Sequence, residues 1–125
     1  LAEANPGDVR AQRDLSISWE RIAQIAEWQG DLAKASDAWH KALAISAALA
    51  ERLPDSVDLR TTPVVHLAGL ARLTDTATEA GRAEARALLE RALALLRPLA
   101  DTNRLDADRA SWVALIEGEL AKLEP

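Results

Sequence analysis

Apolar residues recur along this chain at helical spacing, in blocks separated by turn chemistry. From about Asp8 to Gln29, Leu15, Trp19, Ile22 and Ala26 are separated by four, three and four positions, so one helix face is apolar. Asn5, Pro6, Gly7 and Asp8 supply turn and capping groups ahead of it. Gly30 followed by Asp31 reads as a helix stop and then the N-cap of a second helix, folded back on the first by so short a link. That helix runs from about Leu32 to Leu53, with Leu32, Ala35, Trp39, Ala42, Leu43, Ile45, Leu49 and Leu53 inward, until Pro54 ends it.

The third helix has two candidate starts, Ser56 as a cap or the better pair Thr62 and Pro63, and a break or kink is expected at the latter. Its stripe of Val64, Leu67, Leu70, Ala71 and Thr74 continues to about Ala77, with the turn at Gly81. The fourth helix, Arg82 to about Leu99, places Ala85, Leu88, Leu89, Ala92, Leu93, Leu96 and Leu99 inward, and Pro98 closes it. A last helix from about Asp106 carries Trp112, Ile116, Leu120 and Leu123 inward and Arg109, Glu117, Glu119 and Lys122 outward. No segment reads as a strand, and the fold class is all-α.

Composition narrows the functional classes. Apolar residues at 49% and charged residues at 28% mark a chain that folds, and the dominance of Ala and Leu favours helix over sheet. The net charge of -5 arises from interspersed acids and bases, so neither nucleic acid nor a membrane is an expected partner. No apolar run approaches a membrane span. The absence of Cys fits a reducing compartment, and the localisation expected is cytoplasmic. Leu1 in place of an initiator Met predicts a fragment of a longer protein.

The helices also repeat. Pro6-Gly7-Asp8-Val9 and Pro54-Asp55-Ser56-Val57 open the first and third helices 48 positions apart (Val9 to Val57), and the same offset carries Trp19 to Leu67, Ile22 to Leu70 and Ala23 to Ala71. The second and fourth helices align 50 apart, Ala35 with Ala85, Trp39 with Leu89, Ala42 with Ala92 and Leu43 with Leu93. In this pattern the chain resembles the tetratricopeptide repeat. The first copy reads Trp19-x2-Ile22-Ala23-x2-Ala26, then Ala35-x3-Trp39-x2-Ala42-Leu43, and the second Leu67-x2-Leu70-Ala71-x2-Thr74, then Ala85-x3-Leu89-x2-Ala92-Leu93. Ala23 and Ala26 replace the family's Gly and Tyr, and the longer period amounts to about two extra turns per helix, as in a long-helix bacterial variety. Small Ala23, Ala35 and Ala42 are expected to let the backbones approach while Trp19 and Trp39 fill the gap.

The resemblance implies an α-solenoid of antiparallel hairpins: repeat one over 6–53, repeat two over 54–100 and a capping helix over 101–125. It also implies a groove lined by the first helix of each hairpin, whose candidates are Glu20, Gln24 and Glu27 in the first copy and Ala68, Arg72 and Asp75 in the second. Chaperone-tail binders carry Lys and Asn where Glu20 and Gln24 stand, so that partner is disfavoured and a neutral or basic protein or peptide suits the acid content better. Trp28 lies off the main stripe. Packing on the neighbouring hairpin is its expected role, with an exposed anchor for a partner as the alternative.

Nothing supplies a reactive group. His40 is expected on the outer side of its helix, and His66 as a solvated or half-buried structural residue. No metal-ligand spacing, catalytic pairing or phosphate cradle accompanies either, so no catalytic, cofactor or metal site is expected. The expectation is a protein-interaction scaffold and not an enzyme. The alternative is a self-associating or intramolecular regulatory domain of a larger bacterial signalling protein, forming homo-oligomers through its repeat ends.

Overall fold

A computed structural model describes residues 6–124, and among them the regular elements are five helices with no strand: α1 (Pro6–Trp28), α2 (Leu32–Arg52), α3 (Val57–Arg72), α4 (Glu79–Asp101) and α5 (Ala107–Lys122). The Asn5 cap and any extension before Leu1 lie outside the described residues. The chain forms two compact units, Leu1–His66 and Leu67–Pro125.

In the first unit α1 and α2 pack along each other. Their link is a helix stop built from glycine. Gly30 sits at φ 81°, its amide donates to the Glu27 carbonyl, and the Asp31 amide reaches back to the Ala26 carbonyl. Asp31 at once caps α2, accepting from the Lys34 amide at 3.1 Å. Trp19 meets Lys41 and Glu27 meets Trp39, so partners rise along α2 as they fall along α1, and the two helices run antiparallel. Ala23, Ala26, Ala35, Ala38 and Ala42 are all buried at this seam, as close backbone approach requires.

The buried face of α1 differs from the expected stripe. Ser16, Ala23 and Ala26 are buried and Trp19 is half-buried with Lys41 Nζ 4.5 Å above its ring, whereas Leu15 and Ile22 are exposed by 48% and 37%. The seam selects residues for smallness, and the larger side chains are turned to its margin. Likewise Leu32 and Leu53, at the two ends of α2, are exposed, and Ile45 is half-buried, while Ala38, Ser46 and Ala50 complete its buried face.

The break expected at Thr62 and Pro63 is absent, because α3 starts at Val57 and continues through Pro63. Ser56, the alternative cap, accepts from the Leu59 amide at 3.2 Å. The Thr61 and Thr62 hydroxyls bond the Val57 and Asp58 carbonyls. Burial of Leu59, Pro63 and Val64 offsets a mid-helix proline cost of about 3 kcal/mol.

In the second unit α3 ends at Arg72, short of the expected Ala77. Leu73 and Thr74 close onto Leu70 and Ala71, and Asp75 Oδ1 then takes the Ala77 amide, so side-chain bonding competes with further helix. Thr78 caps α4, its Oγ1 accepting from the Gly81 amide at 2.9 Å. Gly81 is therefore buried in the first turn of α4 and is not the turn itself. Pro98 does not close α4 either. The helix reaches Asp101 and is stopped by Asn103 at φ 57°, with the Arg104 amide on the Leu99 carbonyl.

The inner face of α4 is Ala85, Leu89, Ala92, Leu93, Leu96 and Leu99, with Leu88 half-buried. Capped by Asp106, α5 packs on α4 and buries Ile116, with Leu123 buried just beyond its end. Arg97 pairs with Glu117 at 3.0 Å, and Arg86 donates to the Leu123 carbonyl at 3.3 Å. Trp112 and Leu120 are half-buried, and Leu115 is exposed.

Candidate functional site

The expected groove residues fall into two sets, each placed on its own unit. Glu20, Gln24 and Glu27 form one ridge of α1 at spacings of four and three, with Trp28 beside its end. Gln24 is exposed, and Trp28, which was expected to pack on a neighbouring hairpin, is 88% exposed. It stands two residues before the Gly30 stop. In the other unit Ala68 is half-buried and Arg72 is exposed at the end of α3. Asp75 is not on that helix: its carboxylate and carbonyl brace the turn, accepting from the Ala77 amide and from Thr78.

The two glutamates of the α1 ridge are half-buried and structural. Glu27 Oε2 accepts from Trp39 Nε1 at 2.9 Å, anchoring a tryptophan that is 1% exposed. Glu20 Oε1 lies 2.9 Å from His66 Nε2, and Ser46 Oγ lies 2.8 Å from His66 Nδ1. His66 is fully buried and its ring centroid is 5.9 Å from that of Trp39. This corrects the expected solvated or half-buried histidine. A carboxylate only accepts, so Nε2 carries the proton toward Glu20, and in the neutral ring Nδ1 accepts from the Ser46 hydroxyl.

One polar chain thus joins α1, α2 and α3, and among the described residues no buried side-chain nitrogen or oxygen lacks a partner. Sequence reasoning missed this trio because its members are 20 and 26 residues apart (Ser46 to His66, Glu20 to Ser46). A buried-face serine at helical spacing, as at Ser46, was the available signal. The order serine, histidine, carboxylate resembles a hydrolytic relay, but Ser46 is 1% exposed and out of a substrate's reach.

His40 is exposed as expected, with Nδ1 2.8 Å from the Ser36 carbonyl. Among the described residues no group of three or more His, Cys, Asp or Glu could hold a metal ion. No described helix is long and apolar enough to cross a membrane. A cleft of about 440 Å³ in the first unit is lined by Val9, Arg10, Arg13, Asp14, Ser56, Asp58 and Leu59. Its lining holds two arginines and two aspartates, and Ser56 is committed as a cap, so its charge balance favours neither sign of ligand. Comparison with protein-family models, with curated proteins and with solved structures gave no match.

Proposed function

We propose that this chain is a helical-repeat scaffold of the tetratricopeptide type, without catalysis of its own, that presents the α1 surface to a neutral or basic protein or peptide. The observation that carries the reading is Trp28, 88% exposed at the hairpin tip with exposed Ile25 and Leu32 nearby in sequence. A large aromatic with a rigid ring is the usual energetic centre of a protein interface. Glu20 and Glu27 supply the negative flank, and Gln24 an uncommitted polar contact.

Because Glu20 and Glu27 also brace the core, reversing their charge would confound binding with folding. Trp28 and Gln24 are the clean probes. Selection from a random-peptide display library is expected to enrich apolar sequences with neutral or basic flanks, and Trp28→Ala is expected to weaken their binding at least about tenfold with helical content unchanged. No enrichment, or full binding by the variant, would remove the scaffold reading at this surface.

The second reading, self-association, is favoured by a different observation. Leu15, Ile22 and Ile25 are all exposed on one side of α1, at spacings of seven and three. Sedimentation is expected to show a concentration-dependent dimer that Ile22→Glu abolishes. A monomer across the accessible concentration range would reject this reading and leave the first untouched.

A further inference from the structure

We propose that the exposed face of α1 is a helix seam for a second copy of this chain, which runs antiparallel to the first about a two-fold axis between the levels of Ser16 and Ile17. The proposal rests on the self-association reading above and goes further in fixing orientation and register. Ala11, Leu15, Ser18, Ile22, Ile25 and Gln29 follow one another at spacings of four, three, four, three and four, the alternation that keeps a seam turned toward a partner helix. All six are exposed. The seam lies away from α2, since Ser16 and Ala23, which α1 buries, belong to a different face of the helix.

Charge and size both select the antiparallel arrangement. Asp14 and Arg21 are exposed along one flank of the seam, seven positions and so about 10 Å apart on their own helix, too far to pair with each other. The two-fold brings Asp14 of each copy to the partner's Arg21, which forms the same ion pair twice. Arg10, on the same flank, falls level with the partner's Ile25 and not with its Arg21. Along the seam Leu15 is level with the partner's Ser18, and Ile22 with the partner's Ala11, so each large side chain meets a small one. In a parallel pair Asp14 and Arg21 would instead face the uncharged flank of Gln12, Trp19 and Ala26, and neither charge would gain a partner. The antiparallel dimer also holds its two Trp28 side chains at opposite ends, on the order of 35 Å apart, and so offers two binding tips.

Cross-linking tests the orientation, because the chain has no Cys and a single introduced one reacts alone. A short bis-maleimide is expected to join copies carrying Ser18→Cys, close to the axis. It is not expected to join copies carrying Gln29→Cys, whose thiols stand on the order of 35 Å apart. Charge exchange tests the register. Asp14→Arg and Arg21→Asp are each expected to raise the dimer dissociation constant about tenfold in sedimentation, and the double variant to return it to within about threefold, with helical circular dichroism unchanged throughout. A dimer that cross-links through Gln29→Cys or not through Ser18→Cys, or whose strength ignores the charge exchange, overturns the antiparallel register and leaves self-association standing. A monomer at every accessible concentration overturns both.

Discussion

Trp39→Ala is expected to destabilise the fold by about 3–5 kcal/mol, the cost of emptying a tryptophan-sized volume in a packed core. Trp39 is 1% exposed among small residues, with Ala35, Ala38 and Ala42 on its own helix and Ala23 and Ala26 on α1 all buried. Alanines have no reach with which to fill the space, and the helices are held by a short glycine stop, so collapse into the cavity is limited. The substitution also removes the donor to Glu27 Oε2 on a half-buried carboxylate.

Total domain stability is on the order of 5–15 kcal/mol, so a loss of this size shifts the urea midpoint far to the left. The measurement is urea unfolding followed by circular dichroism, since fluorescence changes with the residue itself. Trp28→Ala serves as the contrast. At 88% exposure it is expected to move stability by less than about 0.5 kcal/mol. Equal effects from the two tryptophans would mean that Trp39 does not fill the seam.

Gly81→Ala is expected to cost about 1–3 kcal/mol, although alanine is the better helix former. A β-carbon at Gly81 would land on the backbone carbonyl of Asp75 and lie within 2.9 Å of Thr78 Oγ1. Both atoms are engaged: the Asp75 carbonyl accepts from the Thr78 amide and hydroxyl, and Thr78 Oγ1 caps the Gly81 amide. Backbone cannot swing aside as a side chain can, so the cap and the turn must re-form together. Gly118 is the control, in mid-α5 with nothing within 4 Å of the added carbon, where alanine is expected to gain roughly 0.5–1 kcal/mol. Thermal unfolding of the two variants should therefore shift in opposite directions, and a stabilised Gly81→Ala would contradict the packing described for that turn.

Local chemistry made the helices readable before any coordinates. Asp31 caps α2 where it was expected, α5 starts beside Asp106 as the spacing indicates, and Gly30 stops α1 with the positive φ that glycine adopts without penalty. The fourth helix was legible almost residue by residue, since a run of leucines at helical spacing leaves a single choice of buried face. Proline was the misleading signal. Pro63 and Pro98 were read as interruptions, yet both lie inside helices. Ala94, whose carbonyl loses its partner at Pro98, is exposed, so water can take the free oxygen, and burial around Pro63 outweighs the local cost.

For the candidate site, position on α1 was legible and role was not. Glu20 and Glu27 looked like ligand-facing acids because composition cannot reveal a carboxylate's partner. The partners, His66 and Trp39, come from other helices.

The sequence by itself determined where α2 and α5 begin, how α1 must turn back and which face of α4 is apolar, because caps, glycine stops and spacing act within a few residues. Only the tertiary structure decided that small residues and not Leu15 or Ile22 occupy the α1 seam, that Trp28 stays in solvent, and that Glu20, Ser46 and His66 meet. Those outcomes depend on which surfaces approach closely enough to exclude water and to satisfy one another's hydrogen bonds, a condition set by neighbouring helices far away along the chain.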